Sequence, residues 1–301
     1  MHPAASIIVF TTLSGLGYGL AVVLGLGFLG PSLLSSKIAY VLSLTLIGVG
    51  LLSSLLHLGN PQRAWRALSQ WRSSWLSREG VMAIATFVPL TLSTTLAIFA
   101  NRHDTVLGLI TAFGSLVTVY CTSMIYASLK TVDCWHTKLT PLCFLLFSLA
   151  GGFLLASAIA GGNALVVELL ALLFVLLALV AKMVWRKHAA TRQPRSTPES
   201  ATGLGFIGKV RLFERPHALD NYLTREMGFR VARKHAAKLW VVAFVCGAIL
   251  PILALLLSVA IGSGLSAQLI LCAGILAHLL GILVERWLFF AEARHAVMNY
   301  Y

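Results

Sequence analysis

Long apolar runs separated by short polar breaks dominate this chain. Windows long enough to cross a bilayer fall at Ser6–Leu29, Lys37–Leu58, Val81–Ala100, Thr105–Ser128, Thr140–Ala160, Asn163–Trp185, Leu239–Ala260 and Ser266–Phe290. Each holds roughly 20 residues, the length a helix needs to span the hydrocarbon. Ten-residue segments of alternating polarity, the mark of a membrane barrel, are missing from the pattern. Lipid requires every segment to satisfy its own backbone, so the pattern predicts an all-α polytopic bundle of eight transmembrane helices. The first run is long enough to span and has no basic stretch before it, so it reads as a retained helix rather than a cleaved signal.

Composition agrees. At 58% hydrophobic and 11% charged, with mean hydropathy +0.87, too little polar surface exists to coat a soluble globule. Three regions follow: residues 1–185 with the first six spans, a basic loop over 186–238, and residues 239–301 with the last two spans and the tail.

Charge then orients the bundle. Eight spans put both termini on one side with the 2–3, 4–5 and 6–7 loops, and 21 of the 23 Lys and Arg residues sort to that side. Lys37 and Arg102 fall on the other. The positive-inside rule therefore predicts an inner-membrane protein with N- and C-terminus in the cytoplasm. The net charge of +13 is a face, suited to anionic lipid or to a docked partner; nothing supports nucleic acid. Within that face, Asn221–Trp240 spaces Leu223, Met227 and Val231 among arginines, as a basic amphipathic surface helix does.

Five cysteines without a C-x-x-C carry neither an iron–sulfur cluster nor a disulfide framework. The candidate chemistry lies where spans meet water, because an ionisable group inside lipid is costly and needs a reason. In "LLHLGNPQRAW" (Leu55–Trp65), His57 closes span two, Gly59-Asn60-Pro61 turns the chain, and Arg63 follows on a surface segment with Trp65, Trp71 and Trp75. Glu79 precedes span three, with Ser77 as its expected cap. His57, Arg63 and Glu79 can thus converge at one depth. A quinone head group needs a hydrogen-bond donor at a carbonyl and a proton route, both of which a histidine provides near neutral pH. An interfacial anchor uses the same residues. On the last span, His278, Glu285 and Glu292 share a face that could line a proton path or make buried pairs. Haem b is the rival use of the rings, with His57, His136, His235 and His295 as candidate ligands. A transporter is the competing class, though no matching pair of broken spans appears in the two halves. His2, His103, His188 and His217 read as surface residues, and Glu168 as structural.

The string His57-Leu58-Gly59-x-Pro61-x-Arg63-Ala64, then Leu76-Ser77-x-Glu79, Tyr126, Thr131-Val132, Trp135 and Thr140-Pro141, resembles the anchor subunit family of DMSO reductase, most closely over the first five spans. The resemblance implies an eight-helix anchor exchanging electrons between the quinone pool (ubiquinone or menaquinone) and the iron–sulfur subunit of a molybdopterin enzyme. It places the quinone-site histidine and glutamate on His57 and Glu79, with Arg63 and Tyr126 as further quinone-binding candidates. Asp220–Phe229 ("DNYLTREMGF") and the ending Glu285–Glu292 ("ERWLFFAE") are similar to anchors of the cytoplasmic-facing sulfite dehydrogenases, whose partner subunits would sit on the side that charge sorting assigns to His57. That branch implies electron flow from sulfite to quinone.

Overall fold

The computed structural model describes residues 3–30, 33–56, 58–192, 196–214 and 231–300, with side chains omitted for 231–234. Its helices are α1 (Ala5–Gly25), α2 (Leu34–Leu55), α3 (Trp75–Ala100), α4 (Thr105–Ala127), α5 (Leu139–Ala160), α6 (Leu165–Thr191), the short α7 (Pro198–Thr202), α8 (Val231–Phe244), α9 (Leu250–Ile261) and α10 (Leu265–Ala291). A 3₁₀ segment, Pro61–Gln70, links α2 to α3. Helices α8 and α9 are joined by a π turn, Val245–Ile249, into one span. Among the described residues eight helices are long and apolar enough to cross a membrane, matching the hydropathy pattern, and no strand is present beyond a lone bridge between Val132 and His295.

Helix α1 is the axis of the bundle, packing on α2, α4 and α5. Close approach without Cβ atoms makes this possible, since lipid-immersed helices associate through packing rather than through exclusion of water. At the α1–α5 crossing a Cβ on Gly19 would stand 1.8 Å from the Ser148 carbonyl oxygen. Ser148 Oγ also donates to Gly15 O at 2.6 Å, so side-chain and backbone groups of the two helices interlock.

The π turn has a cause in the sequence. Pro251 has no N–H to offer the carbonyl of Gly247 four residues earlier. That carbonyl instead accepts the His278 Nδ1–H from α10 at 2.7 Å. Gly247 and Gly281 meet backbone to backbone there; a Cβ on Gly281 would lie 2.1 Å from Gly247 N.

Several boundaries differ from the sequence expectation. Span three begins at Trp75 rather than Val81, because Ser74 caps it, its Oγ accepting the Ser77 N–H. Ser77 is therefore not the cap, and Glu79 lies inside the helix instead of preceding it. Helix α6 runs on to Thr191. Of the expected surface helix Asn221–Trp240, residues 221–230 lie outside the described residues, as does the whole of the Asp220–Phe229 match; the remainder of the expected stretch is helical from Val231. Two of the cations counted on the basic face, Lys182 and Arg286, are instead buried within α6 and α10 at 6% and 3% exposure. The face stays strongly basic without them.

Candidate functional site

Residue 57 lies outside the described residues, so the site is built from its neighbours. Leu58, Gly59 and Asn60 lead from α2 into Pro61–Gln70, a segment carrying Arg63, Trp65 and Arg66 that lies along the start of α3. Three contacts pin it there. Ser77 Oγ donates to the Ala67 carbonyl. Arg78 reaches back from α3 to the carbonyls of Trp71 (3.0 Å) and Arg72 (2.7 Å) while its guanidinium covers the Trp75 ring at 4.2 Å. Amphipathic side chains of this kind hold a surface segment at the lipid boundary.

Under this segment opens a cleft of about 740 Å³, bounded by α1, α2, α3, the end of α4 and the 3₁₀ segment. Its walls are mostly aliphatic, with exposed Leu52, Leu55, Leu76 and Ile84 at the bilayer side. Such a size and lining suit one lipid-soluble molecule of moderate size, held in place by a few polar groups. Those groups include Arg63, exposed on the covering segment, and Glu79 on α3, 5% exposed. Thr122 Oγ1 donates to Glu79 Oε1 from α4, which fixes the carboxyl and leaves its second oxygen available for another partner. A carboxyl group buried against apolar walls is expensive unless it is hydrogen-bonded or neutral, the state from which it can donate a proton.

Tyr126 closes the inner wall of the cleft. Its ring sits within an aromatic cluster, with centroids 5.4 Å from Trp135, 5.7 Å from Phe144, 5.6 Å from Phe289 and 5.3 Å from Phe290. The other residues of the sequence motif serve that cluster. Trp135 Nε1 donates to Phe289 O at 3.0 Å, Thr140 Oγ1 to Trp135 O at 2.8 Å, and Trp185 Nε1 to Thr140 Oγ1 at 3.1 Å. Beside Thr131 and Val132, the Ala296 N–H donates to Thr131 O at 2.8 Å, and Arg192 Nη1 donates to the carbonyls of Asp133 and His136. The motif thus divides into cleft residues and residues that knit the 4–5 loop to α6, α10 and the C-terminal segment.

The acidic face of the last span resolves into separate pairs rather than one stripe. Glu285 Oε1 lies 2.6 Å from Lys182 Nζ, and Glu285 Oε2 lies 3.5 Å from Arg286 Nε. Glu292 accepts the Trp240 indole N–H at 2.8 Å, and His278 is held by Gly247. Sequence reading missed Lys182; a lone lysine within an apolar run was its available signal. Of the other haem candidates, His136 Nδ1 contacts the Ala127 carbonyl at 2.6 Å, and His295 Nδ1 accepts the Val297 N–H at 3.2 Å. His235 is exposed at the start of span seven. His103 is not a free surface ring, since its Nε2 lies 3.2 Å from Gly25 O. All five cysteines are free.

Fold and cleft define a multi-pass membrane protein that presents an apolar site with a buried carboxyl group to the bilayer. The chain belongs to the DMSO reductase anchor subunit family, whose model matches residues 1–291. It is 34% identical to the C subunit of the sulfite dehydrogenase of Allochromatium vinosum, over the whole of this protein and 99% of that one. It is 30% identical to the C polypeptide of the anaerobic dimethyl sulfoxide reductase of Escherichia coli, across 46% of this protein and 50% of the relative. The likeness thus extends through the last three spans, beyond the part where the sequence resemblance was strongest. The protein is a membrane anchor subunit of an oxidoreductase complex.

Proposed function

We propose that this anchor is the quinone-reactive subunit of a complex in which a molybdopterin subunit and an iron–sulfur subunit dock on the basic face, in the cytoplasm, at the inner membrane. Electrons pass from the iron–sulfur subunit to a quinone in the cleft beneath Pro61–Gln70. The observation that carries this reading is the convergence of Arg63, Glu79 and Tyr126 on one lipid-side cleft that Leu55, Leu58 and Gly59 also line.

In this account His57 hydrogen-bonds one carbonyl of the head group and Glu79 supplies a proton at the other side. Arg63 holds the head group at the mouth, and Tyr126 packs against its inner edge. Two electrons and two protons convert quinone to quinol. By analogy with the Allochromatium relative, the electrons come from sulfite, whose oxidation with water yields sulfate, two electrons and two protons.

The test is quinone reduction by the purified complex carrying His57→Ala or Glu79→Gln, with subunit assembly checked separately. We expect each variant to lose at least about 100-fold in turnover, the lower end for removing a proton-transferring group. Unchanged turnover together with unchanged affinity for a quinone analogue would remove both residues from the site.

A further inference from the structure

We propose that a buried, hydrated polar seam crosses the bundle interior and delivers protons to Glu79 from a second cleft on the far side of α1. This rests on the quinone reading above and adds the route by which the site is supplied.

The second cleft, about 350 Å³, lies between α6 and the α8–α10 pair, with Arg186 and Trp240 at its rim and Lys182, His278 and Glu285 in its wall. From there the polar groups continue inward. Lys182 pairs with Glu285, and Glu285 neighbours Arg286. Arg286 lines a small internal cavity shared with Thr12 of α1 and Thr122 of α4. Thr122 donates to Glu79. Each residue from Lys182 through to Glu79 is nine-tenths or more buried.

The cavity carries its own sign of water. Its volume of about 20 Å³ is sufficient for one molecule, which needs roughly 10–15 Å³ by this measure. Thr12 Oγ1 is buried there without a hydrogen bond among the described residues, and Arg286 Nε has its 3.5 Å ion contact with Glu285 Oε2 but no hydrogen bond. Buried polar atoms are nearly always satisfied, and orphans around a cavity of this size are satisfied by ordered water. A water held by Thr12 and Arg286 also completes the hydrogen-bonded path, because the Thr122 hydroxyl can accept from it while donating to Glu79.

The path supports a relay. A proton entering at the second cleft exchanges across Lys182 and Glu285; Glu285 gives it to the Arg286 guanidinium, which lies 3.5 Å away and releases one of its own protons to the water in the same step, so that it stays charged. The water passes a proton to Glu79 through the Thr122 hydroxyl. Glu79 then passes it to a reduced quinone oxygen. The electrons come from the iron–sulfur subunit, and each proton delivered to the quinol is replaced from the aqueous face. Thr12 positions the water and carries no proton itself.

The decisive variant is Thr12→Val. It keeps the side-chain shape, removes an unsatisfied hydroxyl and leaves the cavity apolar, so a purely packing role for Thr12 predicts unchanged turnover and equal or better stability. The seam predicts quinone reduction by the full complex about 100-fold slower, with a larger solvent deuterium isotope effect and unaltered quinone-analogue affinity. Lys182→Met/Glu285→Gln, which keeps the buried net charge of the wild type, is expected to show the same signature. Wild-type turnover and isotope effect in both folded variants overturn the seam while leaving the cleft assignment standing. A wild-type complex that fails to bind the quinone analogue overturns the cleft assignment itself.

Discussion

The Lys182–Glu285–Arg286 cluster predicts an asymmetry between two charge deletions. Glu285 stands 2.6 Å from one cation and 3.5 Å from the other. At an effective dielectric of 20 these contacts correspond to roughly 6 and 5 kcal/mol of attraction, set against a desolvation cost of several kcal/mol per ion. Replacing Glu285 by Gln removes both attractions and strands two buried cations. Such a break costs about 3–5 kcal/mol. Lys182→Met, by contrast, leaves Glu285 and Arg286 as a neutral pair. Its losses are one ion contact and the cation–π contact of Lys182 Nζ, 3.6 Å from the Trp185 ring. That contact is worth about 2 kcal/mol when desolvated, and the relieved desolvation offsets much of the total. At about 2–4 °C per kcal/mol for a chain approaching this size, Glu285→Gln is expected to lower the unfolding midpoint by roughly 6–20 °C, and Lys182→Met by only a few degrees. Heating the purified anchor in detergent and recording the surviving monodisperse fraction gives both values. Equal losses in the two variants would refute the reasoning, because they would mean that Arg286 does not serve as a counter-ion to Glu285.

Other perturbations probe the cleft and the packing. Arg63→Ala should weaken binding of a quinone analogue while leaving subunit assembly intact, since the side chain lines the mouth of the cleft and is exposed; an unaltered dissociation constant would take Arg63 off the head group. Ser77→Ala, by releasing the carbonyl of Ala67, should cost about 1 kcal/mol and speed proteolysis within Pro61–Gln70; an unchanged cleavage rate would show that Arg78 alone suffices to hold the segment. Gly152→Val should abolish recovery of folded protein from membranes, since a Cβ there stands 2.1 Å from the Gly19 carbonyl carbon and the two backbones have no room to yield; a normal yield contradicts the α1–α5 crossing. Burial raises the Cys134 thiol to about 11, above the ordinary value near 8.5, so its thiolate is scarce at neutral pH and increases as pH climbs towards 11. Maleimide labelling of the native protein should therefore be slow at pH 7 and still accelerate through pH 9, whereas fast labelling at pH 7 whose rate levels off above about pH 8.5 would place the thiol in open solvent.

Much of this architecture was legible in the order of residues because the bilayer leaves few options. Apolar length alone located all eight spans. The start of α3 escaped because Trp75–Gly80 carries Arg78 and Glu79, which depress hydropathy even though Ser74 and Ser77 are spaced as a cap. Lys182 and Arg286 were grouped with the basic face because a cation near a helix end normally reaches water, and only their juxtaposition with Glu285 across two helices shows otherwise. Pro251 in span seven was not read from the sequence, and its consequence, the freed Gly247 carbonyl taken up by His278, lies 31 residues away. In the cleft, Arg63 and Glu79 were placed together from spacing and from the family motif. Tyr126 came from the motif alone. Thr122, which holds Glu79, looked like any threonine in an apolar helix, and Thr12 gave no signal until the cavity beside it was seen.

The account's central claim is that a quinone occupies the cleft under Pro61–Gln70. Photo-crosslinking of the intact complex with an azido-quinone, followed by peptide mapping, tests this most directly. The account predicts label on the segment from Leu51 to Ala83, competed away by unmodified quinone and reduced by Arg63→Ala. Competable label confined to other parts of the protein, such as the α6 and α8 walls of the second cleft, would contradict it.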